Sequence, residues 1–528
     1  MNASTTVTVG LLGVALGLSF AASAVAVVPA EGDSFLQDGA KLRSTNSPPH
    51  AAFKLAMAEQ RSRPCEGATG TLEIGALAHF SWLFERRNMK LDRHTAWWCM
   101  GAALLGCQAS APSAPVTEPP AAPVTPANPT VAEASPQSPA PATESPRTTM
   151  RKFSEDVEFL SKHGAVKVLE SPSGGRIVVS GKYQGRVMTS AVEATGASLG
   201  FVNRAFIEQG KTGSAFDNYG GEDRFWLGPE GGQYALYFAP GKPFEFANWQ
   251  TPKSFQEGEW LTKGDATATS VTFLRTLDVV NYAKTEFHLD VERKLTIYGD
   301  DQAKAALGMA IPKDVKWVAF SSENSITSKG KQPWTEAKGL PSIWILGMFA
   351  PAPGTRVIAP FEKAGTGEIV NDRYFGKVPS DRLVVDEDKG FLLFKCDGQL
   401  RSKIGLGPTR AKDVLGSYSA DAKLLTIVRY TRPAGAKRYV NNLWEVSKEP
   451  YGGDVNNSYN DGPVEPGKPS LGGFYELESS SPAAALKPGE KLVHTHETFH
   501  FTGPKEALES IAQKLLGVSL ANVESAKL

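Results

Sequence analysis

From residue 150 onward, apolar positions recur mostly at every second residue. Phe287, Leu289, Val291, Leu295 and Ile297 alternate with His288, Asp290, Glu292, Lys294 and Thr296. That period predicts a half-buried strand pair or one long bent strand. Ser342 to Phe349 is apolar on both faces, as a central strand is. Phe391–Lys395, Leu424–Tyr430 and Leu492–Phe501 read as further strands, separated by turns containing Gly and Pro. Helical spacing is sparse. Phe153, Val157 and Leu160 predict a short opening helix with Ser154 as N-cap, and Ala303–Met309 and Lys505–Leu516 predict two more. No short repeat of propeller or solenoid type is present. The pattern predicts a mainly β domain over 150–528 with few short helices, far larger than the roughly 100 residues of an ordinary sandwich.

The N-terminal part has a different pattern. Residues 1–30 carry no charge, and Val7–Val28 is a long apolar run without a basic start. A second candidate begins at Met89: Lys90 and Arg93 are followed by a short apolar segment, Thr95–Leu105, too short to span a bilayer. It ends Leu104-Leu105-Gly106-Cys107, which resembles a bacterial lipobox, in which the cysteine is lipidated after cleavage. On this reading 89–107 is a lipoprotein signal peptide and 1–88 an extension upstream of the true start. The alternative is a long N-terminal region with an internal hydrophobic segment. Residues 108–149 are dominated by Pro, Ala, Ser and Thr, and predict a disordered, extended tether. A spacer after a lipidated cysteine holds a domain off a membrane, so the expected location is the cell envelope.

Composition narrows the function. In 528 residues Lys+Arg and Asp+Glu are both 56, which leaves no electrostatic footprint for nucleic acid. Of Cys65, Cys99, Cys107 and Cys396, only Cys396 lies in 150–528, so no disulfide framework is expected there. The same region has no CxxC, HExxH, P-loop or GxSxG motif, and no cofactor is implied.

Near the C-terminus stand Phe474-Tyr475-Glu476-Leu477-Glu478-Ser479-Ser480-Ser481-Pro482, then Leu486-Lys487-Pro488-Gly489-Glu490, then a strand ending Thr498-Phe499-His500-Phe501. This resembles the terminal signature of the galactose-mutarotase-like superfamily. Asn324–Gly330 is similar to its Asn-Thr-Gly turn, Tyr219-Gly220-Gly221 to its His-Gly-Gly loop, and Gly220–Glu230 to a bacterial branch of it. The resemblance implies a β-supersandwich with a sugar site in a groove on one sheet.

Mutarotation needs a base for the anomeric hydroxyl and an acid for the ring oxygen. The resemblance puts Glu478 at the base's place. The family's acidic His has no counterpart in Leu340–Phe349, and Tyr219 replaces the His of the His-Gly-Gly loop. An enzyme reading therefore assigns Arg224 or Tyr219 to polarise or protonate the ring. Glu222, Asp223, Arg224, Trp226 and Glu230 crowd a Gly-rich stretch read as a ligand-facing loop. Arg and carboxylate groups bind sugar hydroxyls, and aromatic faces pack on C–H patches. Arg186, Asn324, Lys403 and Asp461, the last in the loop Asn457–Gly462, are the other candidate binding residues, while Trp344 reads as core. His494, His496 and His500 share one strand face. Such a face is most often solvated, and no carboxylate or cysteine at ligand spacing supports a metal. Cys396 reads as inert. Three functions stay open: a lipid-anchored carbohydrate-recognising protein, a sugar epimerase or mutarotase relative with Glu478 as general base, and a structural envelope lipoprotein.

Overall fold

The computed structural model describes residues 150–465 and 467–528. The extension 1–88, the signal-like segment 89–107 with Cys107, and the tether 108–149 lie outside the described residues.

Alternation of apolar side chains becomes three antiparallel sheets. A small one holds β1 (Lys167–Glu170), β2 (Arg176–Ser180) and β3 (Arg186–Ala191). A five-stranded sheet contains β4 (Arg224–Gly228), β9 (Ser342–Phe349), β13 (Ser402–Leu406), β16 (Asn456–Asn460) and β17 (Tyr475–Ser480), in the order β13-β16-β17-β9-β4. A ten-stranded sheet contains β5 (Leu261–Thr262), β6 (Ser270–Val280), β7 (Glu286–Ile297), β8 (Lys316–Ser328), β10 (Arg356–Pro360), β11 (Leu383–Asp386), β12 (Phe391–Lys395), β14 (Val414–Ser419), β15 (Leu424–Tyr430) and β18 (Lys491–Thr502). Its order is β11-β12-β10-β14-β15-β18-β8-β7-β6-β5. The result is mainly β, a sandwich with few short helices.

Parity decides what each strand faces. On β10, Val357 and Ala359 join Ile404, Leu406 and Leu477 of the five-stranded sheet, while Ile358 between them packs the other way. The outward face of the large sheet, including Trp317, Leu425, Ile427, Phe499 and Phe501, is covered by helices α4 (Asp300–Leu307), α5 (Lys505–Leu516) and α6 (Leu520–Ser525). On α5, Leu508, Ile511, Ala512 and Leu516 fall on one stripe, and Gly517, with φ 67°, ends the helix. Burying such a side chain contributes about 1.5–3 kcal/mol.

Three local expectations are corrected. Helix α1 (Phe153–His163) starts after Lys152, so Ser154 is inside it; the Phe153 N–H is satisfied by the Gly196 carbonyl and no side-chain cap forms. The turn expected at Asn324–Gly330 is strand as far as Ser328, because β8 runs on between β7 and β18. The Glu222–Glu230 loop is mostly β4, and Asn457–Gly462 is mostly β16. Two short helices, α2 (Arg204–Glu208) and α3 (Lys253–Gln256), escape the periodicity entirely.

Candidate functional site: a charged groove on the five-stranded sheet

The five-stranded sheet turns its apolar parity toward the large sheet and its polar parity away from it. Register fixes the polar rows. Arg224 on β4 lies opposite Leu346, which lies opposite Glu478, which lies opposite Asn457. One row along stand Met348, Glu476, Tyr459 and Lys403. In the other direction Trp226, Trp344 and Ser480 align. Arg224 and Glu478 are thus two strands apart, about 10 Å between backbones. Residues that are 250 positions apart in sequence meet because two-residue parity and antiparallel pairing leave them no other face.

The charges on this face are paired and buried. Arg224 Nη2 lies 2.9 Å from Glu476 Oε1, and the guanidinium sits 3.9 Å over the Trp226 ring and 5.1 Å from that of Phe216. Lys403 Nζ and Trp344 Nε1 both donate to Glu478 Oε2, at 2.9 and 2.8 Å. Trp249 Nε1 donates to Glu230 Oε1 at 3.0 Å. None of Arg224, Trp226, Glu230, Trp344, Lys403, Glu476 and Glu478 is more than 7% exposed. Beside them Tyr374 donates to Asp454 Oδ2 at 2.6 Å and Asn457 donates to the Tyr374 hydroxyl at 3.0 Å. Gly405 makes room for this: a Cβ there would overlap Asp454 Oδ2 and Asn457 Nδ2.

Burial dominates the titration behaviour. Desolvation lifts Glu476 to about 8, with Arg224 opposing and Glu478 adding to the rise. Desolvation also raises Glu230 and Asp454. For Lys403, burial works against the charge, but Glu478 and Glu230 outweigh it and the amine is held above its ordinary range.

Four loops roof the groove with aromatic rings. Phe216 packs edge-on to Trp226 and Trp249. Phe246 lies nearly parallel to Trp249 and Trp444, and Phe375 packs edge-on to Trp444 and Tyr459. Arg401 sits among Phe375, Phe246 and Trp444, at 3.7, 5.2 and 5.7 Å.

Of the residues singled out in the sequence, the groove gathers Arg224, Trp226, Glu230, Lys403 and Glu478. Others go elsewhere. Asp223 pairs with Arg293 and accepts from Ser322, and Asn324 spends its amide on Arg293, Ser322 and the His494 carbonyl, all between the two large sheets. Glu222 accepts from Ser190 and contacts His500 at 3.2 Å. Asp461 is taken up by Tyr459 and the Gly472 and Gly473 N–H groups. Arg186 donates to the Gly220 carbonyl and Gln184, and stacks on Tyr219. Tyr219 lines a separate cavity of about 500 Å³ with Tyr183, Gln184, Lys182 and Glu257. The contacts of Arg186 are thus with Gly220, Gln184 and Tyr219 rather than with the groove carboxylates.

The histidine face is corrected as well. His494 and His496 are wholly buried, not solvated, and share Ser479 Oγ at 2.8 Å each. Among the described residues no group of three His, Cys, Asp or Glu is placed to hold a metal ion. Cys396 is a free, buried thiol whose pKa is pushed up by desolvation. Trp344 is buried, as core, yet its indole N–H faces Glu478. Reading the sequence missed Glu476, Trp249, Tyr374, Arg401 and Asp454. Glu476 had a signal, since Glu476 and Glu478 two apart in a strand must share a face; the roof residues had none.

Fold and groove together define a β-sandwich protein with a buried, charge-paired site on its smaller sheet. The model of a family described as "Family of unknown function (DUF6786)" matches residues 151–527, and the chain belongs to that family. No curated protein matches it. Among solved structures it is similar to the Slr1438 protein of Synechocystis sp. PCC 6803 at 14% identity, covering 64% of this chain and 96% of that one, with a TM-score of 0.36. A galactose mutarotase related enzyme from Lactobacillus acidophilus is similar at 12% identity, 64% and 97% coverage and a TM-score of 0.33. The 4-alpha-glucanotransferase of Thermococcus litoralis is similar at 8% identity, 63% and 41% coverage and a TM-score of 0.28.

Proposed function

We propose that this protein binds a sugar or glycan in the groove of the five-stranded sheet. One observation carries the reading. Buried polar atoms from three strands point to this one face without a hydrogen-bond partner among the described residues: Arg224 Nε and Nη1, Trp226 Nε1, Glu478 Oε1 and Asn457 Oδ1. Native interiors leave few such groups unpaired. Donors and acceptors interleaved with indole faces suit a ligand that is itself donor, acceptor and C–H surface at once, which describes a polyol ring. The carboxyls Glu230, Glu476, Glu478 and Asp454 beside the cations Arg224, Lys403 and Arg401 suit a neutral ring better than a phosphorylated one.

The test is a glycan array followed by calorimetry on the hits. Arg224→Ala removes the guanidinium fork and is expected to weaken binding by at least about tenfold, the scale of one charged hydrogen bond. Unchanged affinity in that variant, or an array without hits, counts against the reading. We further propose that lipidation at Cys107 anchors the domain to the cell envelope, supported by the Lys90/Arg93 start, the short apolar segment and the Pro-rich spacer. Palmitate should label wild type and not Cys107→Ala; equal labelling would end that proposal.

A further inference from the structure

The cavity of about 500 Å³ that Tyr219 lines shares no lining residue with the groove. It opens between the end of α1, the β2–β3 turn, the segment after α2 and the segment after α3. Its volume falls in the range of about 300–1,000 Å³ usual for small-molecule sites. Its walls are tied to one another. The Trp260 N–H donates to the Gly181 carbonyl at 2.9 Å, and Gln184 Nε2 to the Gln256 carbonyl at 3.0 Å. Gln256 in turn donates to the Ser214 carbonyl at 2.7 Å and accepts from the Asp217 N–H at 3.0 Å. A cavity braced in this way is formed before any ligand arrives, so little ordering cost opposes binding.

Two kinds of unused chemistry meet inside it. Tyr183 and Tyr219 are only 2% and 6% exposed, and their rings pack at 4.9 Å with Phe206 edge-on to Tyr219. Among the described residues neither hydroxyl has a hydrogen-bond partner. Burial raises both phenols, Tyr219 to about 12, so both keep their protons at neutral pH and can donate as well as accept. Lys182, Lys211, Glu257 and Glu259 line the same cavity. Among the described residues neither lysine pairs with either glutamate. Lys182 donates to the His163 carbonyl and lies over the Tyr183 ring, while the side chains of Lys211, Glu257 and Glu259 make no hydrogen bond. The His163 ring packs on Phe159. Two cations and two carboxylates thus border one cavity without neutralising each other. A wholly anionic ligand meets the glutamates there, and a wholly cationic one the lysines. A ligand with one charge of each sign satisfies both.

We propose that this cavity is a second binding site, for a short zwitterionic peptide of two or three residues. Its ammonium group meets Glu257 and Glu259, its carboxylate meets Lys182 and Lys211, and its amide meets the hydroxyls of Tyr183 and Tyr219. A single free amino acid brings the same two charges but no amide for the hydroxyls, and it fills less of the volume. The site is independent of the sugar reading of the groove.

The test is saturation-transfer NMR of the full chain against the unblocked dipeptides Ala-Ala, Ala-Glu, Ala-Lys and Ala-Tyr in L and D forms, with calorimetry on those that bind. Each binder is compared with its N-acetyl form, its C-amide form and free glycine. The unblocked dipeptide should bind at least about tenfold tighter than either blocked form, the scale of one charged hydrogen bond. E257Q/E259Q should erase the preference over the N-acetyl form, and K182Q/K211Q the preference over the C-amide form. Neither pair of substitutions breaks an ion pair, so the urea midpoint should stay near that of wild type. Y219F keeps the ring and its packing and should weaken binding about threefold to tenfold. Absence of binding by every dipeptide of the panel overturns the proposal. Equal affinity for free and blocked forms overturns it too, as does wild-type affinity in both double variants. Glycine binding as tightly as the dipeptides would assign the cavity to a free amino acid and overturn the peptide reading. None of these outcomes bears on sugar binding in the groove, which the glycan array tests separately.

Discussion

His494 and His496 show how far burial alters a residue from what its spacing suggests. Their even spacing is legible in the sequence, but which side of β18 meets water is not: the inner face of that strand packs against β17, where Ser479 holds both rings. Desolvation pushes His494 down to about 3, helped by His496, and His496 down to about 4. Unfolded, both titrate near 6.5. The unfolded chain therefore takes up two protons that the folded chain refuses as pH drops below about 6.5. Stability present above that pH is expected to fall by up to about 2–3 kcal/mol per pH unit from these two groups, until pH nears their folded values. Urea unfolding at pH 7.5, 6 and 5 measures it. In His494→Gln/His496→Gln this part of the slope should vanish; an unchanged slope would mean the rings are not the neutral, buried groups described here.

The elements that build the groove differ in how visible they were. Strands β9, β12, β15 and β18 are legible as apolar stretches separated by turns containing Gly and Pro, and helix α5 as a 3.6-residue period. Strands β4 and β16 look like loops in the sequence because glycine and polar residues mask strand character when both faces are buried but one of them faces polar partners. The roof carries no periodic signal, since Phe246, Phe375, Arg401 and Trp444 come from four separate connections. Arg401 is the one group common to three of these rings. A partly desolvated cation–π contact is worth about 1–2 kcal/mol. Arg401→Ala should therefore speed amide exchange in 244–249, 371–378 and 441–447 by roughly 5- to 30-fold while leaving β15 and β18 protected. Equal acceleration in the strands would show that Arg401 supports the sandwich rather than the roof.

At the scale of the molecule, one apolar cluster ties the three sheets together: Leu169, Ile177, Val179 and Val187 of the small sheet pack with Phe273, Leu289 and Phe320 of the large one and Phe225, Ile343 and Ile345 of the five-stranded one. Arg293 on β7 adds a buried ion pair to Asp223 just before β4. A core shared this widely predicts that 150–528 unfolds as a single cooperative unit. Fluorescence and circular dichroism should give coincident urea transitions, and limited proteolysis should leave one stable core. A persistent cut yielding two stable halves would divide the sandwich.

What the sequence by itself determined is local: the period of each strand and helix, the neutral charge balance, the lipobox-like segment and Pro-rich stretch, and the shared face of Glu476 and Glu478. These depend on neighbours a few residues apart, where backbone geometry sets the outcome. Only the tertiary structure decided which face of the five-stranded sheet is the groove, that Arg224 meets Glu476, that Asp223 and Asn324 serve the sandwich interior, and that a ring of aromatics closes the site. Those outcomes depend on strand order and register, which are set by packing between segments hundreds of residues apart, and no local period records them.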